Sequence, residues 1–207
     1  MRKNKKVMKI RQKRYAMLID LRRCIGCNTC AVACKSENDV PLGVWRSWVK
    51  KVEKGKHPRA KEYFLPIVCN NCDKPICVTV CPVGASIQRA DGIVYIDPHR
   101  CIGCRYCMAA CPYGVRYINP LKKIAEKCYW CHHRVDAGLE PACVLACPTG
   151  AMMFGDLNDP ESLIAKSLTE NAVQVIKAEL GTHPQTFYIG LDKEAVETVE
   201  IKETNED

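Results

Sequence analysis

At 207 residues the chain is long enough for one large domain or two small ones, and 47% of it is apolar, but sixteen of those apolar residues are cysteines. Setting the cysteines aside leaves roughly 39% conventional apolar residues, a thin supply for a core of this size held by burial alone. The formal charge of +8 counts every thiol as neutral, no run approaches the roughly 20 apolar residues of a membrane span, and tight cysteine spacing with no signal-peptide pattern argues against a secreted disulfide scaffold.

Residues 1–14 carry eight Lys/Arg and no acid. They read as a basic arm, either solvated or touching a partner or lipid headgroups. Tyr15-Ala-Met-Leu-Ile-Asp20 reads as a strand leading into Cys24-Ile-Gly-Cys27-Asn-Thr-Cys30-Ala-Val-Ala-Cys34, with a short helix expected over 31–35. Residues 36–68, which hold Trp45 and Trp48, form an insertion. A second cysteine group follows: Cys69-Asn-Asn-Cys72, Cys77 and Cys81-Pro82. Segments 86–89 and 93–97 flank Asp91-Gly92, a strong hairpin signal. The third group is Cys101-Ile-Gly-Cys104-Arg-Tyr-Cys107-Met-Ala-Ala-Cys111-Pro112, with a helical turn expected at 108–110. The fourth is Cys128-Tyr-Trp-Cys131, Cys143 and Cys147-Pro148, with a short insertion over 132–142. Asp159 before Pro160 predicts a capped helix over 160–168, and 173–176 and 186–190 read as strands. Residues 192–207, with seven acids and two lysines, form an acidic tail.

The repetition carries the argument. Cys-Pro-x-Gly-Ala follows both the second group (Pro82, Gly84, Ala85) and the fourth (Pro148, Gly150, Ala151). Duplication of a ferredoxin-like half is the simplest account. The expected fold is α+β: two nested ferredoxin-like units of the bacterial two-cluster type with long loop insertions, stabilised by their clusters. The double ferredoxin-like region spans 15–155, its outer unit built from the motifs 24–34 and 128–147 and its inner unit from 69–111. Residues 156–191 supply a C-terminal helix and strands.

A cubane [4Fe–4S] cluster needs four soft thiolates, and one tight loop delivers only three. In two-cluster ferredoxins the C-x2-C-x2-C run gives three ligands and the fourth cysteine, before a proline, crosses to the other cluster. The first and third groups keep that spacing; the second and fourth widen one gap by an insertion, which is tolerated if the loop ends still meet. The stretch between Cys81 and Cys101, with its hairpin, matches the interval inside a small ferredoxin, so the second and third groups pair. The first and fourth then pair around them. The crossing rule gives four iron-binding sets: Cys24, Cys27, Cys30 and Cys147; Cys34, Cys128, Cys131 and Cys143; Cys69, Cys72, Cys77 and Cys111; Cys81, Cys101, Cys104 and Cys107. Each oxidised cluster with its thiolates carries a charge of about −2, so four of them offset the basic composition, which is therefore compensation rather than a nucleic-acid footprint.

Zinc fits less well. Zinc ribbons use Cys-x2-Cys pairs, and His99, His132 and His133 lie near, but they do not require a third cysteine two residues on and a fourth before proline. Cys128–His132 satisfies a haem-attachment string, yet both of its cysteines complete the fourth group. Arg105, Lys35, Lys74 and Arg100 adjoin ligands and either raise a cluster potential or are solvated surface charge. Tyr106, Met108, Tyr113 and Trp130 read as packing around clusters, while Trp45 and Trp48 are packing or partner-facing. No residue is expected to be catalytic.

With these residues in view, the chain from about Arg14 to Leu191 resembles the four-cluster ferredoxin subunits of the dimethyl sulfoxide reductase superfamily, with its nearest likeness among iron–sulfur subunits of polysulfide and thiosulfate reductases. The likeness rests on Arg14-Tyr-Ala-Met-x-Ile-Asp20, Ala33-Cys-Lys-x-Glu-Asn38, Glu140-Pro-Ala-Cys-Val144 and Phe154-Gly-Asp-Leu-x-Asp-Pro-Glu-Ser162. It implies a molybdopterin catalytic subunit, with molybdenum or tungsten, as one partner and a polytopic membrane quinol-interacting subunit as the other. It also implies the same nested pairing, and a membrane-associated complex exported folded with a signal-bearing partner, or else one facing the cytoplasm. A free-standing soluble polyferredoxin is the alternative function, and a zinc-stabilised structural or nucleic-acid-binding protein a more distant one.

Overall fold

The computed structural model describes residues 13–192. Nearly all of the basic arm at 1–14 and of the acidic tail at 192–207 lies outside the described residues. The apolar run after Arg14 forms β1 (Tyr15–Asp20) as expected, and its residues Ala16, Met17, Leu18 and Ile19 are all fully buried. A strand buried on both faces must be central, and β1 is. It pairs antiparallel with β8 (Met152–Asp156), Tyr15 opposite Asp156, and parallel with β10 (Thr186–Ile189), Met17 opposite Thr186. β9 (Val173–Gln174) closes the outer edge, giving the order β8-β1-β10-β9.

The two faces of this sheet do different jobs. Ala16 and Leu18 pack with Ile189 against Ile164 of α6 (Leu163–Glu170). Met17 and Ile19 point the other way, into a core that holds Leu65, Ile93, Trp130 and Tyr188 together with Cys30, Cys69, Cys128 and Cys143. The sheet therefore floors the cysteine-bearing loops. Helix α6 corrects the expected span of 160–168. Its cap is Ser162, whose Oγ accepts from the Ala165 N–H at 3.2 Å, while Asp159 accepts from the Glu161 N–H in the preceding turn. The hydroxyl three residues later offers the better-placed acceptor, so the helix starts a turn late.

Between β1 and β8 lie short elements. After α1 (Thr29–Glu37), the insertion over 36–68 carries a twisted hairpin, β2 (Trp48–Lys54) with β3 (Lys61–Ile67). Next come α2 (Ile76–Thr79), the hairpin of β4 (Ser86–Gln88) and β5 (Val94–Ile96) around Asp91-Gly92, and α3 (Tyr106–Ala109). A second hairpin pairs β6 (Arg116–Ile118) with β7 (Ala125–Lys127), and α4 (His132–Asp136) and α5 (Ala142–Leu145) follow. Helix α1 packs on α5 and α2 on α3. The architecture is a mixture of small α and β elements.

Candidate metal centres

Each cysteine loop is bent by residues in the left-handed region. In the first group these are Gly26 and Asn28, in the third Gly103 and Arg105, at matching offsets. A Cβ on Gly26 would lie 2.2 Å from the Phe64 ring, and one on Gly103 2.4 Å from the Lys123 carbonyl oxygen, so both need glycine for space as well as for φ. The third cysteine of each of these groups then enters a helix, Cys30 in α1 and Cys107 in α3.

Cys81, Cys101, Cys104 and Cys107 line one small cavity, with Ile96, Ile102 and Arg116. Cys69, Cys72, Cys77 and Cys111 line another, with Val94, Tyr113 and, again, Arg116. Cys34, Cys128, Cys131 and Cys143 are all buried, and burial pushes the Cys128 thiol up to about 11 with Cys69 and Cys131 adding to it. The Cys34 and Cys143 thiols are raised further by burial and by the other sulfurs of that set. Cys24, Cys27, Cys30 and Cys147 gather likewise. Burial pushes Cys30 up to about 11, and Cys24, Cys27 and Cys147 add to it. Cavities thus gather two of the expected sets, and mutual electrostatic influence links the sulfurs of the other two.

The donor chemistry fits a cationic cage. Four thiols crowded and desolvated resist becoming four thiolates unless positive charge enters with them. Among the described residues no three His, Cys, Asp or Glu side chains close around a single ion. Backbone amides already point at some of them. The Ala85 N–H donates to Cys81 Sγ at 3.2 Å and the Ala151 N–H to Cys147 Sγ at 3.3 Å, repeating one contact in both copies of Cys-Pro-x-Gly-Ala. For Cys147 and Cys81 burial alone would raise the thiol, but such hydrogen bonds outweigh it and hold both below the usual range.

The sulfurs also influence one another across the sets: Cys30 raises Cys34 and Cys143, and Cys69 raises Cys128. Arg116 lines both of the cavities described above. Cys27 and Cys104 are exposed.

The other residues singled out in the sequence fall into distinct places. Lys35 donates to the carbonyls of Pro41 and Val44 at 2.7 and 2.8 Å and lies over the exposed Trp45 ring, so it ties the loop after α1. Arg100 donates to the Val83 carbonyl, and Arg105 and Lys74 are exposed. Trp130 is buried in the core, Trp48 is half-buried, and Tyr113 bonds to Thr182. His133 pairs with Glu37 at 2.7 Å, His132 lies against the Tyr129 ring, and His99 is exposed.

The sequence assigns no role to three features near the sulfurs, although Asn38 closes one of its motifs. Asn38 Nδ2 lies 3.7 Å from both Cys34 Sγ and Cys131 Sγ. Its Oδ1 accepts from Arg46, which forms a buried pair with Glu126 at 2.9 Å, joined by the Tyr117 hydroxyl. Lys127 is fully buried, donating to Asn71 Oδ1 and to the carbonyls of Val94 and Cys128. These groups come from the end of α1, the loop before β2 and the β6–β7 hairpin, far apart in the chain.

The chain matches a family described as "4Fe-4S dicluster domain" twice, over residues 60–157 and 23–85. A tetrathionate reductase subunit of Salmonella typhimurium is 51% identical over 183 residues, which cover 86% of this chain and 73% of that protein. A putative dimethyl sulfoxide reductase iron-sulfur subunit of Halobacterium salinarum is 40% identical, covering 84% and 78%. A selenate reductase subunit of Mesobacillus selenatarsenatis is 38% identical, covering 84% and 71%.

Proposed function

The chain belongs to the 4Fe-4S dicluster family of reductase iron–sulfur subunits, and from that premise we propose that it relays electrons through four [4Fe–4S] clusters between a molybdopterin catalytic subunit and a quinone-reactive membrane subunit. It does no bond-making chemistry of its own. The observation that carries this reading is sixteen cysteines in four sequence groups whose thiols act on one another across the groups, with Cys27 and Cys104 exposed.

Cys24, Cys27, Cys30 and Cys147 would hold the first cluster, and Cys34, Cys128, Cys131 and Cys143 the second. Cys69, Cys72, Cys77 and Cys111 would hold the third, and Cys81, Cys101, Cys104 and Cys107 the fourth. Two nested ferredoxin-like units follow from these sets. They are supported by the packing of α1 on α5 and α2 on α3, and by Arg23 lying over Gly150 as Arg100 lies over Gly84. When bound, each cluster supplies a one-electron centre with a potential set by its surroundings, within about −700 to +450 mV. The protein's part is to fix, shield and tune. Cys69, Cys107, Cys128 and Cys143 are buried, and the apolar core closes over the second and third sets, excluding water where neighbouring sets meet.

Among the described residues no helix is long and apolar enough to cross a membrane. Contact with the membrane belongs to the quinone-reactive partner. The complex works on the extracytoplasmic face, exported with a signal-bearing partner. Affinity purification from native membranes tests the assignment: a large pterin-containing subunit should co-elute, and a menaquinol analogue should reduce the bound chain. Elution of the chain alone, with no reduction by quinol, would leave a free polyferredoxin instead.

A further inference from the structure

Arg116 is 6% exposed, and among the described residues no carboxylate lies within ion-pair distance of it. Its Nη2 donates to Ser86 Oγ at 3.0 Å, a neutral partner, and its Nη1 has no hydrogen-bond partner among the described residues. Directly across the β6–β7 hairpin stands Lys127, also buried and bonded only to neutral oxygens. Two buried like charges facing each other, neither beside a carboxylate, would strongly oppose folding. Something anionic must therefore stand beside them. Among the described residues the candidate groups at hand are cysteines: Arg116 lines the cavity of Cys69, Cys72, Cys77 and Cys111 and also that of Cys81, Cys101, Cys104 and Cys107. Burial disfavours its charge, and Cys77, Cys69 and Cys107 more than restore it. The other buried guanidinium, Arg46 beside Cys34, is already neutralised by Glu126.

We propose that Arg116 is a redox-positioning residue, a buried guanidinium wedged between the third and fourth cysteine sets that acts as shared counter-cation to both centres and raises the potential of each. The inference rests on the cluster assignment above. A cation close to a cluster stabilises the extra negative charge of its reduced form, and in a dry interior that effect is weakly screened. Because one guanidinium borders both cavities, it ties the two centres to a common electrostatic origin. The electron step between them is then less sensitive to outside salt than steps at the exposed ends.

The test is a potentiometric titration followed by electron paramagnetic resonance on the full chain purified anaerobically, with Cys72→Ser and Cys104→Ser chains used to assign the third and fourth signals. Arg116→Gln should move those two midpoints to lower potential and leave the other two in place, while Arg116→Lys keeps all four near their original values. Loss of only the third and fourth clusters in R116Q, with all four retained in R116K, also supports the counter-cation. Unchanged midpoints in R116Q, a uniform shift of all four, or an R116K shift as large as that of R116Q would overturn it. If R116Q gives no soluble chain, R116K decides alone: original midpoints uphold the inference and lowered third and fourth midpoints reject it. Failure of the unaltered chain to show four clusters would instead remove the cluster assignment itself, and the inference with it.

Discussion

Asp20 ends β1 buried at 5% exposure, yet it stays charged because Arg22 grips it with Nε and Nη2 at 2.8 and 2.7 Å. The Arg22 hydrogen bond, against the pull of burial, holds the Asp20 carboxyl below its ordinary range. A depressed carboxylate stabilises the fold above its unfolded pKa of about 3.9, and that contribution fades as pH falls through the lower folded value. Asp20→Asn should therefore cost about 1–3 kcal/mol in denaturant melts at pH 7, and the gap to the unaltered chain should narrow below about pH 4. A gap constant with pH would mean that the ion pair contributes nothing. The Arg46–Glu126 pair is a sharper case, since both partners are buried. Arg46→Ala leaves Glu126 to the Tyr117 hydroxyl and the exposed Lys122, 3.5 Å away, and should cost up to about 3–5 kcal/mol. Arg46→Met combined with Glu126→Leu, which replaces both charges by apolar side chains, should recover most of it. Equal losses in the single and double variants would contradict this. The buried pair could not be read from the chain: Arg46 and Glu126 lie eighty positions apart, and nothing in either neighbourhood marks it as buried. The cysteines could be read because four thiols at short fixed intervals have few other uses.

Elements with one-sided chemistry were legible. Strand β1 stood out as an apolar run ended by an acid, the β4–β5 hairpin by its Asp-Gly turn, and α1 by its place after the third cysteine. The β2–β3 hairpin was not, because its strands are rich in lysine and Pro66 interrupts β3, which together mimic a solvated loop. The β6–β7 hairpin has strands of three residues, too short for any periodicity to register. The cysteine loops themselves make a firm demand. Gly103→Ala places a methyl 2.4 Å from a backbone oxygen that cannot swing aside. It should strip the fourth cluster, lowering bound iron by a quarter, while the chain remains folded by circular dichroism. Retention of full iron would show that this loop tolerates a side chain.

At the scale of the whole molecule, the sheet β8-β1-β10-β9 joins the two ends of the described chain beneath the metal centres. The core over that sheet is built partly of cysteines, so conventional burial cannot supply all of the stability. Removing the iron with a chelator under reducing conditions should therefore make residues 69–147 sensitive to protease, with α6 and its strands surviving longest, as limited proteolysis with mass spectrometry would detect. The repeated cysteine groups were legible because insertion loops lengthen the gaps without erasing the Cys-x2-Cys pairs that open each group. The most direct test of four cubanes is paired iron and acid-labile sulfide analysis of the anaerobically purified chain, alongside zinc. About sixteen of each per chain, with negligible zinc, is the result expected for sixteen thiolate ligands. About eight of each, or zinc in place of sulfide, would contradict it.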